Sequence, residues 1–137
     1  MADKLSKNAR SANMAAIRSK NTKPEMIVRR LVHGLGYRYR LHRKELPGKP
    51  DLVFGPRKKV IFVHGCFWHQ HDDPYCLDGR LPKSRLDYWL PKLERNQQRD
   101  KSNQKSLEAI GWQVLTIWDC ETKDMDSLAE KLKSFLE

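Results

Sequence analysis

Apolar residues along this chain recur at helical spacing, then at alternate positions, then in unbroken runs, and each change of period marks an element. Ile27, Leu31 and Leu35 share one helical face. The helix they define opens at Thr22-Lys23-Pro24-Glu25, with Thr22 as N-cap, Pro24 in the first turn and Glu25 completing an S/T-x-x-E capping box. Gly34 and Gly36 supply its stop. From Tyr37 to His42 apolar and polar residues alternate, which predicts a half-buried strand with Arg38, Arg40 and His42 turned outward. Turn chemistry at Leu46-Pro47-Gly48-Lys49-Pro50 leads into a strand at Asp51-Leu52-Val53-Phe54. A second turn, Gly55-Pro56-Arg57-Lys58, connects it as a hairpin to the apolar run at 59–64.

After an irregular stretch around Asp78–Pro82, Ser84 to about Ala109 is helical in pattern, and Pro91 predicts a kink or a break into two helices. Leu86, Trp89, Leu90 and Leu93 give the first part an apolar face, whereas Arg95 to Ser106 is almost wholly polar and suits either solvent or a ligand. Beyond Gly111, the run Trp112–Trp118 is apolar on both faces, which predicts a strand interior to a sheet. Asp126 or Ser127 can cap a last helix with a core face of Leu128, Leu132, Phe135 and Leu136. Helix, three strands, helix, strand, helix is the order of an α/β single domain, a mixed central β-sheet flanked by helices. Residues 1–21, polar and rich in Lys, Arg, Ser and Asn, read as a basic arm ahead of the domain at 22–137, with a disordered terminus the plainer alternative.

Composition adds a partner. The 137 residues suffice for one domain with a single core, and the formal charge of +10 points to a polyanion, nucleic acid before membrane surface. No stretch approaches a membrane span or a signal-peptide core, so a cytoplasmic, reducing compartment is expected. There, three cysteines are better read as metal ligands than as disulfides.

The candidate chemistry concentrates in His64–Cys76, which holds three of the five histidines and two of the three cysteines. Cys66-x4-His71-x4-Cys76 offers three donors of the kind zinc accepts, and Cys120 is a plausible fourth if strands 59–64 and 112–118 are parallel neighbours. Four protein donors would make that zinc structural; three ordinary cysteines are the blander alternative. Asp51, at a sheet end, suits Mg²⁺ and serves equally well as a turn cap. In an extended backbone His69 and His71 face opposite ways, leaving His69 free as a base, with Asp100 one candidate to orient it. Phe67 and Trp68, adjacent and exposed in a loop, suit stacking on bases or wedging between base pairs.

Pro47-Gly48-Lys49-Pro50-Asp51, the run VIFVHGCFWHQH from Val60 to His71, and Asn96-Gln97-Gln98-Arg99-Asp100 together resemble the very short patch repair (Vsr-type) DNA mismatch endonucleases. Ser11–Ile17 and the closing GWQVLTIWDC are similar too, so the resemblance runs over nearly the whole chain. It implies a restriction-endonuclease-like fold and a strand-nicking enzyme that cuts double-stranded DNA 5′ of the thymine at a T·G mismatch. It implies Asp51 as Mg²⁺ ligand with the backbone carbonyl of Val63, His69 as general base oriented by Asp100, His64 near the phosphate, and Glu25 ordering metal-bound water. By the same resemblance Cys66, His71, Cys76 and Cys120 hold structural Zn²⁺, Phe67 and Trp68 form a major-groove wedge, and Met14, beside Asn13 on the DNA-contacting arm, plugs the minor groove. The sequence departs from the family in a longer 72–75 loop and in Val63 where threonine is expected. A monomer, a nucleoid-associated cytoplasmic location and contact with other mismatch-repair proteins complete the expectations. Two alternatives remain: a zinc-stabilised DNA-binding module without catalysis, and a nuclease of the same fold with a different DNA substrate.

Overall fold

A computed structural model describes residues 21–71, 76 and 79–137. The basic arm, including Asn13 and Met14, lies outside the described residues. The chain runs through α1 (Lys23–Gly34), β1 (Arg40–Leu41), β2 (Leu52–Phe54), β3 (Lys59–His64), α2 (Leu86–Ala109), β4 (Gln113–Trp118), a 3₁₀ turn (Asp119–Lys123) and α3 (Met125–Leu136). The order matches the sequence pattern, and the sheet is mixed: β1 and β2 pair antiparallel, β2 and β3 pair antiparallel, and β3 and β4 run parallel.

Alternation in the strands divides the core into two layers. Leu52, Phe54, Ile61 and Ile117 meet Val28 and Val32 of α1 and Leu128, Leu132 and Leu136 of α3 on one face. Val53, Val60 and Phe62 meet Leu107 of α2 on the other. Phe135, expected in the core, is half-buried at its margin.

Five local expectations change. Among the described residues β4 stands at the edge of the sheet, not inside it. A run apolar on both faces reports layers above and below a strand, and says nothing about its lateral neighbours. Of the expected kink or break at Pro91, the break does not occur: α2 is one helix from Leu86 to Ala109. The proline deletes one backbone donor and the remaining ladder carries the helix. On its first part only Leu93 is fully buried, while Leu86 and Leu90 are exposed. Asp124, rather than Asp126 or Ser127, caps α3, its carboxylate accepting the Ser127 N–H at 3.2 Å. The expected strand over 37–42 shrinks to Arg40–Leu41, and His42, turning into the left-handed region at φ 47°, ends the run on its C-terminal side.

Candidate active site and metal cluster

The sheet delivers the chemistry to one end. Because β3 and β4 are parallel with His64 opposite Trp118, both strands finish together, and the loop after β3 emerges beside the 3₁₀ turn that carries Cys120. That loop is a compact turn. The Cys66 carbonyl accepts the His71 N–H at 2.9 Å, the Gly65 carbonyl accepts the His69 N–H at 3.1 Å, and Gln70 sits at φ 52°. His69 and His71 therefore part company through a left-handed residue between them, and not through extended backbone.

Cys66, His71, Cys76 and Cys120 converge, their donor atoms all within 4.8 Å of one another. His71 Nδ1 lies 3.3 Å from Cys120 Sγ and 3.8 Å from Cys66 Sγ. Its ring stacks on Trp118 with centroids 4.3 Å apart, which fixes the plane of the donor nitrogen. Burial pushes the Cys66 thiol up to about 12 and raises Cys120 as well. Thiols so placed stay neutral unless a cation pulls off their protons. Three sulfurs and one imidazole nitrogen at this spacing fit a borderline-soft divalent cation in tetrahedral geometry. Cys76 is buried and belongs to the cluster; residues 72–75 ahead of it lie outside the described residues.

A second group forms on the other side of Trp118, whose ring meets His64 edge-on at 5.4 Å. His64 and His69 stack face to face, 3.8 Å apart and 7° from parallel. His69 Nδ1 and Asp100 Oδ2 are 2.6 Å apart, a pairing delivered by the polar stretch of α2. Burial holds His64 down at about 4, with the neighbouring His69 adding to the shift, so His64 is neutral near pH 7. α2 closes on the site at two further points. Asn96 donates to the Trp68 carbonyl at 3.1 Å. Gly48, at φ 78°, passes so near Asn103 that a Cβ would stand 2.9 Å from its Nδ2.

The third group is Glu25, His42 and Asp51. The Asp51 carboxylate accepts the Val63 N–H at 2.7 Å just beyond the last β2–β3 pair. Glu25 is 1% exposed. Thr22 Oγ1 accepts the Glu25 N–H as the capping box requires, but Glu25 returns its carboxylate to the N–H of Asn21 rather than to that of Thr22. Its other oxygen takes Arg29 at 3.3 Å and His42 Nε2 at 2.8 Å. His42 thus faces the site, contrary to its expected outward direction. Burial, and the facing Glu25 carboxylate, push Asp51 up to about 7 against the lowering effect of the Val63 N–H.

Glu25, Asp51, His64, Cys66, His69 and Asp100, drawn from all three groups, line one cleft of about 1570 Å³. Phe67 and Trp68 form its aromatic wall. They are half-buried and not freely exposed, because Trp89 of α2 meets them edge-to-face at 5.3 and 5.7 Å. His42, Trp89, Asn96 and Trp118 were not singled out from sequence as site residues. An indole at the close of an apolar strand and an asparagine on a polar helix carry no signal of their own.

The description DNA mismatch endonuclease Vsr belongs to a family model that matches residues 2–74, just over half of the 137-residue chain. The chain is 53% identical over 137 residues to the type II nicking enzyme V.XorIIP of Xanthomonas oryzae pv. oryzae, covering 100% of this chain and 98% of that protein. It is 43% identical over 132 residues to the type II nicking enzyme V.NmeAIP of Neisseria meningitidis, covering 96% and 92%. With the DNA mismatch endonuclease Vsr of Escherichia coli it shares 37% over 131 residues, covering 96% and 82%. This similarity settles one question that geometry alone left open, whether the chain cuts DNA or only binds it. The chain belongs to the Vsr DNA mismatch endonuclease family and is a DNA endonuclease.

Proposed function

We propose that this endonuclease nicks one strand of duplex DNA 5′ of the thymine at a T·G mismatch, in very short patch repair, with Mg²⁺ at Asp51 and structural Zn²⁺ in the cysteine cluster. The observation that carries the reading is the His69–Asp100 pair at 2.6 Å in the same cleft as Asp51. A carboxylate on Nδ1 keeps the proton there, so that Nε2 is the free base. His69 then accepts the proton of the attacking water, a role worth about 10²–10⁴-fold in rate. His64, neutral and stacked on His69, blocks rotation of that ring and offers its own imidazole to the phosphate region. The Asp51 carboxylate and the Val63 carbonyl would hold Mg²⁺, and Glu25 would order its water. Mg²⁺ bound there would supply positive charge to the phosphoryl oxygens of the transition state.

The donor set Cys66, His71, Cys76 and Cys120 suits zinc better than any hard cation. Four protein ligands leave no open position, so such an ion holds the loop and does no chemistry. The Phe67–Trp68 wall, backed by Trp89, is the wedge for the major groove. Met14, with Asn13, would act from the opposite groove; the family match begins at residue 2 and so takes in their arm. Unstacking costs less at a mispair than in a matched duplex, which gives the enzyme a physical source of selectivity. A single mispair has no two-fold symmetry, which favours a monomer.

The test is direct. Purified protein with Mg²⁺ is incubated with end-labelled duplexes differing only in one T·G pair. A nick that depends on the mispair supports the reading; equal nicking of both duplexes assigns the chain a different DNA substrate. Phe67→Ala combined with Trp68→Ala should bring the rates on mispaired and matched duplex to within a few-fold of each other, and unchanged discrimination would remove the wedge.

A pH effect follows from Asp51. Its carboxyl is protonated below about pH 7 and ionised above, so protons compete with the cation on the acid side only. The Mg²⁺ concentration for half-maximal nicking should rise roughly tenfold per unit as pH falls below that point and level off above it. Mg²⁺ titrations across the range check this, and a flat response takes Asp51 out of the metal site.

A further inference from the structure

His42 is bonded at two ends. Its backbone N–H donates to the Asp51 carbonyl at 3.2 Å, and its Nε2 reaches Glu25 Oε2 at 2.8 Å while standing 3.9 Å from Asp51 Oδ1. It does so from φ 47°, a left-handed conformation uncommon for a residue with a Cβ, and that turn is what brings the ring to Glu25. The side chain is 21% exposed, that of Glu25 2% and that of Asp51 15%, so the three lie largely out of water. Two carboxylates so close and so little exposed need a donor to fix their spacing, and the His42 ring stands beside both. Arg29 does not fill that place: it approaches Glu25 from within α1, at 3.3 Å, and is tied to Asn21 at 2.8 Å.

We propose that His42 is a positioning residue for the nicking reaction, a strut that holds Glu25 at a fixed distance and orientation from Asp51. The inference rests on the reading of Asp51 as the Mg²⁺ ligand. The strut works through hydrogen bonds to backbone and carboxylate, with Nε2 as donor. It acts on the reaction through the shape of the metal site and touches neither base nor phosphate. A merely structural histidine would serve stability alone, and its loss would leave cation affinity where it was.

The experiment measures Mn²⁺, as a paramagnetic probe, bound to the DNA-free full chain, alongside Mg²⁺ dependence of nicking, zinc content and Tm. His42→Ala should weaken Mn²⁺ binding and raise the half-saturating Mg²⁺ concentration about tenfold, with one zinc retained. His42→Gln, whose amide can donate near the position of Nε2, should recover most of both. Nitrogen-detected NMR of the wild type should show His42 Nε2 carrying its proton. In a Glu25→Gln background His42→Ala should add little, because the partner it positions has gone. Unaltered Mn²⁺ binding in His42→Ala, no recovery in His42→Gln, or full additivity with Glu25→Gln overturns the strut. Where His42→Ala lowers Tm too far to assay, the His42→Gln and Glu25→Gln comparisons decide alone. Asp51→Asn separates the two levels: full Mg²⁺-dependent nicking in that variant removes the metal reading itself, whereas loss there with a silent His42→Ala removes only the strut.

Discussion

His69→Ala should lower the rate of nicking on a T·G duplex by about 10²–10⁴-fold while zinc content and Tm stay near wild type. The side chain lies in the open cleft, 29% exposed, and contributes no ligand to the cysteine cluster, so its removal leaves the loop anchored. Its ring is held by two contacts, the 2.6 Å bond to Asp100 and the stack on His64 at 3.8 Å. Asp100→Asn should produce a related loss by a different route: an amide can donate to Nδ1 and so place the ring proton on Nε2, where the base is needed. Single-turnover rates on mispaired duplex, with metal analysis of each variant, check both. Nicking at the wild-type rate in His69→Ala would transfer the base to another group.

Cys120→Ser should act in the opposite manner, abolishing bound zinc and activity together. Apparent zinc binding in small structural sites is worth about 10–16 kcal/mol, all of it folding free energy. A variant that loses the ion is expected to melt roughly 10 °C lower or more. The loop from Gly65 to His71 is a turn closed by its own backbone hydrogen bonds, and the cluster ties both its ends, through Cys66 and His71, to Cys76 and Cys120. Phe67, His69 and the turn at Gln70 are all aimed from it. Metal analysis, melting curves and nicking assays on one preparation decide the matter. A Cys120→Ser protein with one zinc and full activity would reduce the cluster to Cys66, His71 and Cys76.

The chain's residues differ in how openly they declare these roles. Cysteines and histidines at short spacing are rare enough to be read directly, whereas the parallel pairing that brings Cys120 to them stood in the sequence only as a condition, which β3 and β4 meet. The His69–Asp100 pair was legible as a candidate because a polar helix must face either water or a ligand. His42 was not. Alternation placed it on the outer face with Arg38 and Arg40, and alternation holds only while the backbone stays extended; one residue at φ 47° reverses the direction. The edge position of β4 was hidden for a related reason, since hydrophobic pattern records what lies above and below a strand but not beside it. The continuity of α2 through Pro91 shows the same limit: one missing hydrogen bond is a small local cost against the length of ladder on either side. Glu25 is the intermediate case. Its capping-box signature was real in part, yet the carboxylate turns to Asn21, Arg29 and His42, so position in a motif identified the residue and not its partners.

The parallel match of His64 with Trp118 has a consequence for the order in which this enzyme is made. Synthesis runs from the N-terminus, so Glu25, Asp51, His64 and His69 are all made well before Asp100, and Asp100 before Cys120. Strand β3 has no parallel neighbour until β4 arrives, and α3, which covers one face of the sheet, comes last. A nascent chain therefore holds Glu25, Asp51, His64 and His69 before Asp100, Cys120 and the helix that covers one face of the sheet have been made. With Asp100 and Cys120 in the roles proposed above, cutting is expected only of a chain whose last elements have closed.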